Sequence, residues 1–339
     1  MKKLIDSTRV SFTTFLLALL LVPVFPAQSK NYDDIGSVQS PDAAKWGGLH
    51  WSSAERKLFQ GRPQIANDND TNDYVTVAYD RYVSDYDLRG NAPRWVAYVT
   101  DRASAKVIEQ NSRKGADFAR PNFFTDGVIA DACVRINVQP TADGDYSDCV
   151  PEGLAAADQV PKNITATKAR SYPAIIERGH LAPNATLKAW GSPTQGKNAQ
   201  YESFSLANVV PEMSEHNAPT WSALEAQCLA WAKELGKVCV IAGPIYSDSA
   251  HPRHIQERRT GQQVDIPFAD SLFCVVIGKR DGKTSAVGFI MPESTAKYSF
   301  KTNAVPIDRI EQATGINFMP QLGEPNPLET NVDTNWLNN

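Results

Sequence analysis

From Pro219 onward the chain spells a helix that can pack in only one orientation. Trp221, Leu224, Cys228, Trp231 and Leu235 recur at steps of three and four, so a single apolar stripe must face a core. Pro219 suits the first turn of such a helix and Gly236 its C-terminal stop. An apolar strand, 238–242, follows at once, and 271–277 and 285–291 repeat its character. Nearer the N-terminus, 74–79 alternates apolar and polar residues, and 95–100 is its expected hairpin partner across a turn at 87–93. A short helix near 104–110 and a last one over 306–313, ending at Gly315, complete the regular structure. Strands outnumber helices and read as antiparallel neighbours. The expected fold class is therefore α+β, a central and mostly antiparallel sheet flanked by helices. The 339 residues show no internal repeat and no linker that would split the domain.

A hydrophobic fraction of 42% with 21% charged residues describes a globular chain with a real core. The formal net charge of −4 announces no basic tail or cationic surface. That counts mildly against a nucleic-acid partner, although an enzyme that releases its substrate can manage with a local basic groove. Lys2, Lys3 and Arg9 precede an apolar run over 10–25, and small residues at 26–29 offer a cleavage site. Residues 1–29 thus read as a signal peptide, the run being too short for a membrane anchor. The protein is expected to be secreted or periplasmic. Export makes the five cysteines disulfide candidates, and Cys133 with Cys149, bracketing a polar loop, is the expected pair. His251-Pro-Arg-His254 is a weak metal signal, read as a solvated loop.

The chemistry gathers around Arg178-Gly179-His180. Gly179 permits a sharp bend or a close approach, and His180 can take a proton near neutral pH. Farther on, Asn217 and Glu225 lie eight residues apart. A helix beginning near Asn217 would bring Glu225 within roughly 80° of the same face and about 12 Å along the axis. Both side chains can then look toward one site without gripping one small ion together. An amide oxygen beside a carboxylate suits a hard cation such as Mg2+, which keeps several waters and takes few protein ligands. Phosphodiester cleavage needs a base for the water, a metal for the leaving oxygen and cations for the developing charge. His180, Asn217 with Glu225, and Arg120 or Arg178 can supply them. Singly, each has a duller reading: Asn217 a helix cap, Glu225 a solvated carboxylate, Arg120 a surface ion pair.

Taken in order, Arg178-Gly-His180 with Ala182-Pro183, then 204–211 (Phe-Ser-Leu-Ala-Asn-Val-Val-Pro), then Asn217-x3-Trp221-x2-Leu224-Glu225, resemble the DNA/RNA non-specific endonucleases, the ββα-metal or His-Me finger nucleases. Arg120 ahead of Phe124 and Asp126, Ala242-Gly-Pro-Ile-Tyr246, and Ile310-Glu311-x2-Thr-Gly315 extend the likeness from about 59 to 322. The resemblance implies His180 as general base, Asn217 as the direct protein ligand of Mg2+, and Glu225 as holder of metal-bound water. It also implies Arg120 as the arginine that steadies the phosphate, with Arg178, Glu177 and Asn208 as supporting residues. Mn2+ or another divalent cation would be able to substitute. Two positions depart from the pattern. Glu177 stands where aspartate is usual, and Leu229 stands where some relatives carry arginine.

The reading is a metal-dependent endonuclease cutting DNA and RNA without sequence specificity. Its rivals are a phosphodiesterase of the same fold confined to one nucleic acid, and a non-catalytic module that binds polyanions. The expected organisation is a signal peptide at 1–29, an N-terminal arm at 30–58, and the endonuclease domain at 59–325 with an insertion at about 133–172. A tail follows at 326–339.

Overall fold

A computed structural model of the chain describes residues 47–65, 73–114, 118–323 and 325–338. The signal peptide expected at 1–29, and the arm up to residue 46, lie outside the described residues.

In chain order the elements are α1 (Ser53–Leu58), β1 (Gln64–Ile65), β2 (Tyr74–Ala78), β3 (Tyr82–Asp87), β4 (Ala92–Asp101), α2 (Arg102–Glu109), α3 (Gly127–Arg135) and β5 (Cys149–Pro151). They continue with α4 (Ala166–Ala169), β6 (Ile176–His180), α5 (Asn184–Lys188), α6 (Pro193–Ser203) and β7 (Val209–Met213). A wide helical turn, His216–Trp221, leads into α7 (Ser222–Leu235). Then come β8 (Lys237–Ile245), β9 (His254–Glu257), β10 (Gln263–Pro267), β11 (Ser271–Arg280), β12 (Lys283–Pro292), β13 (Ala304–Val305), α8 (Ile307–Thr314), β14 (Ile316–Asn317) and α9 (Pro327–Thr330).

Seven strands form the central sheet in the order β13-β12-β11-β8-β4-β3-β2, and every pairing in it is antiparallel. Side chains alternate across a strand, so β8 serves both faces. Val238, Val240 and Ala242 join Trp221, Leu224, Cys228 and Trp231 of the turn and α7, whereas Cys239 and Ile241 join α1 and α8 through Leu58, Ile307 and Ile310. The stripe on α7 is thus the inner surface of one layer, and Gly236 closes the helix at φ +93°. Among the described residues no helix is long and apolar enough to cross a membrane.

Three sequence expectations change. The hairpin partner of β2 is β3, not 95–100; β3 was missed, and β4 pairs with β3 and β8 instead. All six residues of β3 except its last are buried, so the strand lacks the polar–apolar alternation that would advertise it. The Pro219 region is a wide turn before the helix proper rather than its first turn. The Cys133–Cys149 disulfide is absent, and all five cysteines are free thiols. Cys133 is drawn into the α7 side of the main core, while Cys149 packs with Val150, Ile255 and Phe268 in a separate cluster. The two ends of the polar loop therefore belong to different packing units.

That separate cluster supports the site. It buries Tyr146, Val160, Ala169, Ile175 and Ile176 against Val209 and Met213, beneath the β6–β7 ribbon. Arg258, whose side chain is fully buried, ties it together by gripping Asp148 with Nε at 2.7 Å and Nη2 at 2.8 Å. The same guanidinium donates to the carbonyls of Lys162 and Ile164.

Candidate active site

Strands β6 and β7 pair antiparallel, with Glu177 opposite Glu212 and His180 opposite Val209. The ribbon leads into the wide turn and then α7, and β6, the turn and α7 all contribute to the wall of one cleft of about 810 Å³. Arg120, Phe123, Glu177, Arg178, His180, Asn217 and Glu225 all line it.

Gly179 is required by contact rather than by backbone angle. A Cβ there would lie 1.6 Å from Oε1 of Glu212, so only glycine lets the strand pass over that carboxylate. His180 stands beside Phe123 at 5.3 Å between ring centres and edge-on to Phe204 at 5.0 Å. Its Nε2 has no hydrogen-bond partner in the protein. Burial, and then the charge of Arg120, push its pKa down to about 3, so the imidazole is neutral across the physiological range. A neutral imidazole accepts a proton at whichever ring nitrogen lacks one.

Asn217 donates from Nδ2 to Oε2 of Glu177 at 2.8 Å. That bond orients the amide and leaves its oxygen free. The longer acid at 177, a departure from the usual aspartate, thus grips the Asn217 amide. Glu225 stands in α7 on the same cleft; burial, and then the charge of Glu212, push its pKa up to about 8. A carboxylate in that setting lacks a cation.

The cations are placed unequally. Arg120 is exposed, its guanidinium 5.2 Å from the Phe204 ring centre. Arg178 is engaged: it pairs with the Asp143 carboxylate, donates to the Asp143 carbonyl at 3.1 Å, and lies over Phe123 and Tyr146. Asn208 does not reach the cleft. It is fully buried, accepts from the Ala182 N–H at 2.7 Å, and donates to the carbonyls of Ala182 and Ser203. Its work is to hold the turn that follows His180. Leu229 is half-buried along α7 and contributes no charge.

Sequence reasoning missed Asp143, the ring pair Phe123 and Phe204, and a buried cluster of Glu212, His216 and Glu293. His216 precedes Asn217 directly and Glu212 follows Pro211, so two of the three lay beside the recognised motifs. Nothing local points to Glu293.

A family model described as DNA/RNA non-specific endonuclease matches residues 60–324. Among curated proteins, mitochondrial nuclease 1 of Schizosaccharomyces pombe is 25% identical over 191 residues, covering 53% of this chain and 56% of its own length. Mitochondrial nuclease EXOG of Danio rerio is 23% identical over 252 residues, covering 72% and 60%, and human mitochondrial endonuclease G is 24% identical over 186 residues, covering 53% and 59%. The chain thus spans little more than half the length of these relatives. A solved EndoG/EndoGI complex superposes with a TM-score of 0.50 at 18% identity, over 73% of this chain and 86% of that one, a likeness that carries the fold alone. The relatives overturn the expectation of a secreted or periplasmic protein, because they are mitochondrial nucleases. A basic start before an apolar run marks a leader more readily than it marks an address.

Proposed function

The chain belongs to the DNA/RNA non-specific endonuclease family and has its ββα-metal fold, and from that premise we propose that its cleft hydrolyses the phosphodiester bonds of DNA and RNA without reading sequence. The observation that carries the reading is the convergence of His180, Asn217, Glu225, Arg120 and Arg178 on one cleft from three stretches of the chain: the loop before Phe123, β6, and the wide turn with α7. His180 acts as general base, taking a proton from the attacking water. Arg120, exposed at the rim, meets the phosphate and stabilises the charge that develops on it. Entry of a phosphate also offsets the positive field of Arg120 on the imidazole, which raises the basicity of His180 when substrate is present.

The donor set fits a hard divalent cation. The Asn217 amide oxygen is left open by the bond to Glu177, and Glu225 is an acid without a countercharge. Asn217 would bind Mg2+ directly and Glu225 through water, with Mn2+ able to replace it. Such an ion supplies stabilisation of the leaving oxygen. Arg178, held by Asp143, shapes the wall beside His180. Contacts to phosphate rather than to base edges leave sequence unread.

Residues 59–325 form the catalytic domain in this reading, with 133–172 as an insertion that adds Tyr146, Ser147, Asp148, Ala166 and Arg170 to the cleft wall. The test is side-by-side digestion of plasmid, single-stranded DNA and RNA with Mg2+, against the same mixtures with a chelator. Cleavage of all three, abolished by the chelator, is expected. Cutting of one substrate only would restrict the reading to a narrower phosphodiesterase, and binding without cutting in any divalent metal would overturn it.

A further inference from the structure

Glu212 of β7, His216 of the wide turn and Glu293 just after β12 do not line the cleft, yet their side chains converge with 0%, 0% and 1% exposure. Nδ1 of His216 lies 2.8 Å from Oε2 of Glu212 and 3.1 Å from Oε1 of Glu293, and the three ligating atoms are all within 4.8 Å of one another. One ring nitrogen can give a proton to one oxygen in good geometry, whereas two carboxylates are aimed at it. The other oxygen of Glu293 accepts the Met213 N–H at 2.9 Å, which fixes the carboxylate and leaves Oε1 turned to the cluster without a hydrogen bond. Glu212 Oε1 is likewise without a partner. Among the described residues neither glutamate pairs with a lysine or arginine. Two carboxylates removed from water against one imidazole are costly as anions, so a proton or a cation must join them.

The spacing suits such a cation. Bonds of about 2.0–2.2 Å from a four-coordinate ion to nitrogen and oxygen put neighbouring ligand atoms roughly 3.3 Å apart. The two distances from Nδ1 are already close to that. We propose that Glu212, His216 and Glu293 bind a second divalent ion of the first-row transition class, Zn2+ foremost, separate from the hard cation expected at Asn217. The class follows from the donors, since imidazole with carboxylates favours such metals over Mg2+. The ion joins β7, the turn and the end of β12, so it sets how Asn217 is presented to the cleft. Gly179 acquires a second reason to be glycine, because any side chain there would strike a ligand.

The site stands independently of the nuclease reading, and its test needs no activity. The full chain is stripped with a chelator, incubated with Zn2+ and passed over a desalting column, and the bound metal is counted by mass spectrometry. One retained Zn2+ per chain is expected in the wild type and in His180→Ala, and none in Glu212→Gln or Glu293→Gln. Loading with Co2+ should give visible absorption bands in the first two proteins only. Because the glutamine variants can fold poorly, thermal midpoints are read in parallel: Zn2+ should raise that of the stripped wild type by several degrees. No uptake and no shift in folded wild type, or equal uptake by folded Glu293→Gln, would overturn the site and leave a proton-sharing cluster in its place.

Discussion

Burial sets what each side chain of the cleft can do before any substrate arrives. His180 is held neutral by its aromatic surroundings and by Arg120, so it is ready to accept a proton throughout the neutral range. Replacing His180 with alanine should lower single-turnover cleavage of plasmid by about 10² to 10⁴, the usual contribution of a general base, while the thermal midpoint and DNA binding stay near wild type. Cleavage within a few-fold of wild type would remove the assignment. Glu225 gives a prediction of opposite sign. Its pKa is raised to about 8, so the free cleft holds it protonated below that value and must ionise it to hold a cation. Cation affinity should therefore rise as pH rises toward 8. Raising Mg2+ tenfold should move the acid limb of the pH–rate profile to lower pH, and an acid limb indifferent to Mg2+ would exclude Glu225 from the metal site. Of these residues, the motifs named His180, Asn217 and Glu225; they could not show that Asp143 occupies Arg178, because that partner lies in a loop with no pattern of its own.

Among the elements, the β6–β7 ribbon is not self-sufficient, since two strands alone are marginal and this pair rests on the cluster beneath it. The buried Arg258 fastens that cluster to Asp148 and to carbonyls of the loop leading to α4. Breaking a buried pair by removing one partner costs about 3–5 kcal/mol, with the lower end expected here because Arg259 also reaches Asp148, at 3.3 Å. Arg258→Met should lose hydrogen-exchange protection across 143–170 before the central sheet opens. Uniform protection across both would show that the cluster does not depend on this clamp. The helix α7 was legible from its stripe alone, as a local period reports a buried face directly. β3 was not, because its buried serine and aspartate do not look like core residues. Ser84 is satisfied by the Ala207 carbonyl, and Asp85 by Arg94 and Arg62.

Across the whole molecule, contacts between distant segments hold the layers together. Trp336, near the C-terminus, is fully buried edge-on to Trp231 at 4.9 Å and donates from Nε1 to Ser285 at 2.7 Å. On the opposite face Glu55 of α1 joins Arg81 and Lys237, each at 3.2 Å. Burial opposes its ionisation, but Arg81 foremost, the Ser52 N–H and Lys237 outweigh it and hold the pKa near 2, against an ordinary 4.5. A depressed folded-state pKa contributes stability above pH 4.5 that is lost as pH falls toward 2, worth about 3 kcal/mol at most. Glu55→Gln should be less stable at pH 7 and lose less on acidification over that window, as denaturant melts at pH 7, 4 and 2.5 would read; parallel losses in both proteins would refute the linkage. The sequence by itself determined the types of most elements, the α+β class and the order of His180, Asn217 and Glu225, because period, capping and motif spacing are properties of neighbouring residues. Only the tertiary structure decided that Cys133 and Cys149 sit in different cores, that Asp143 meets Arg178, and that Glu212, His216 and Glu293 converge. Those meetings join segments far apart in the chain, where no local pattern records which residues packing will bring together.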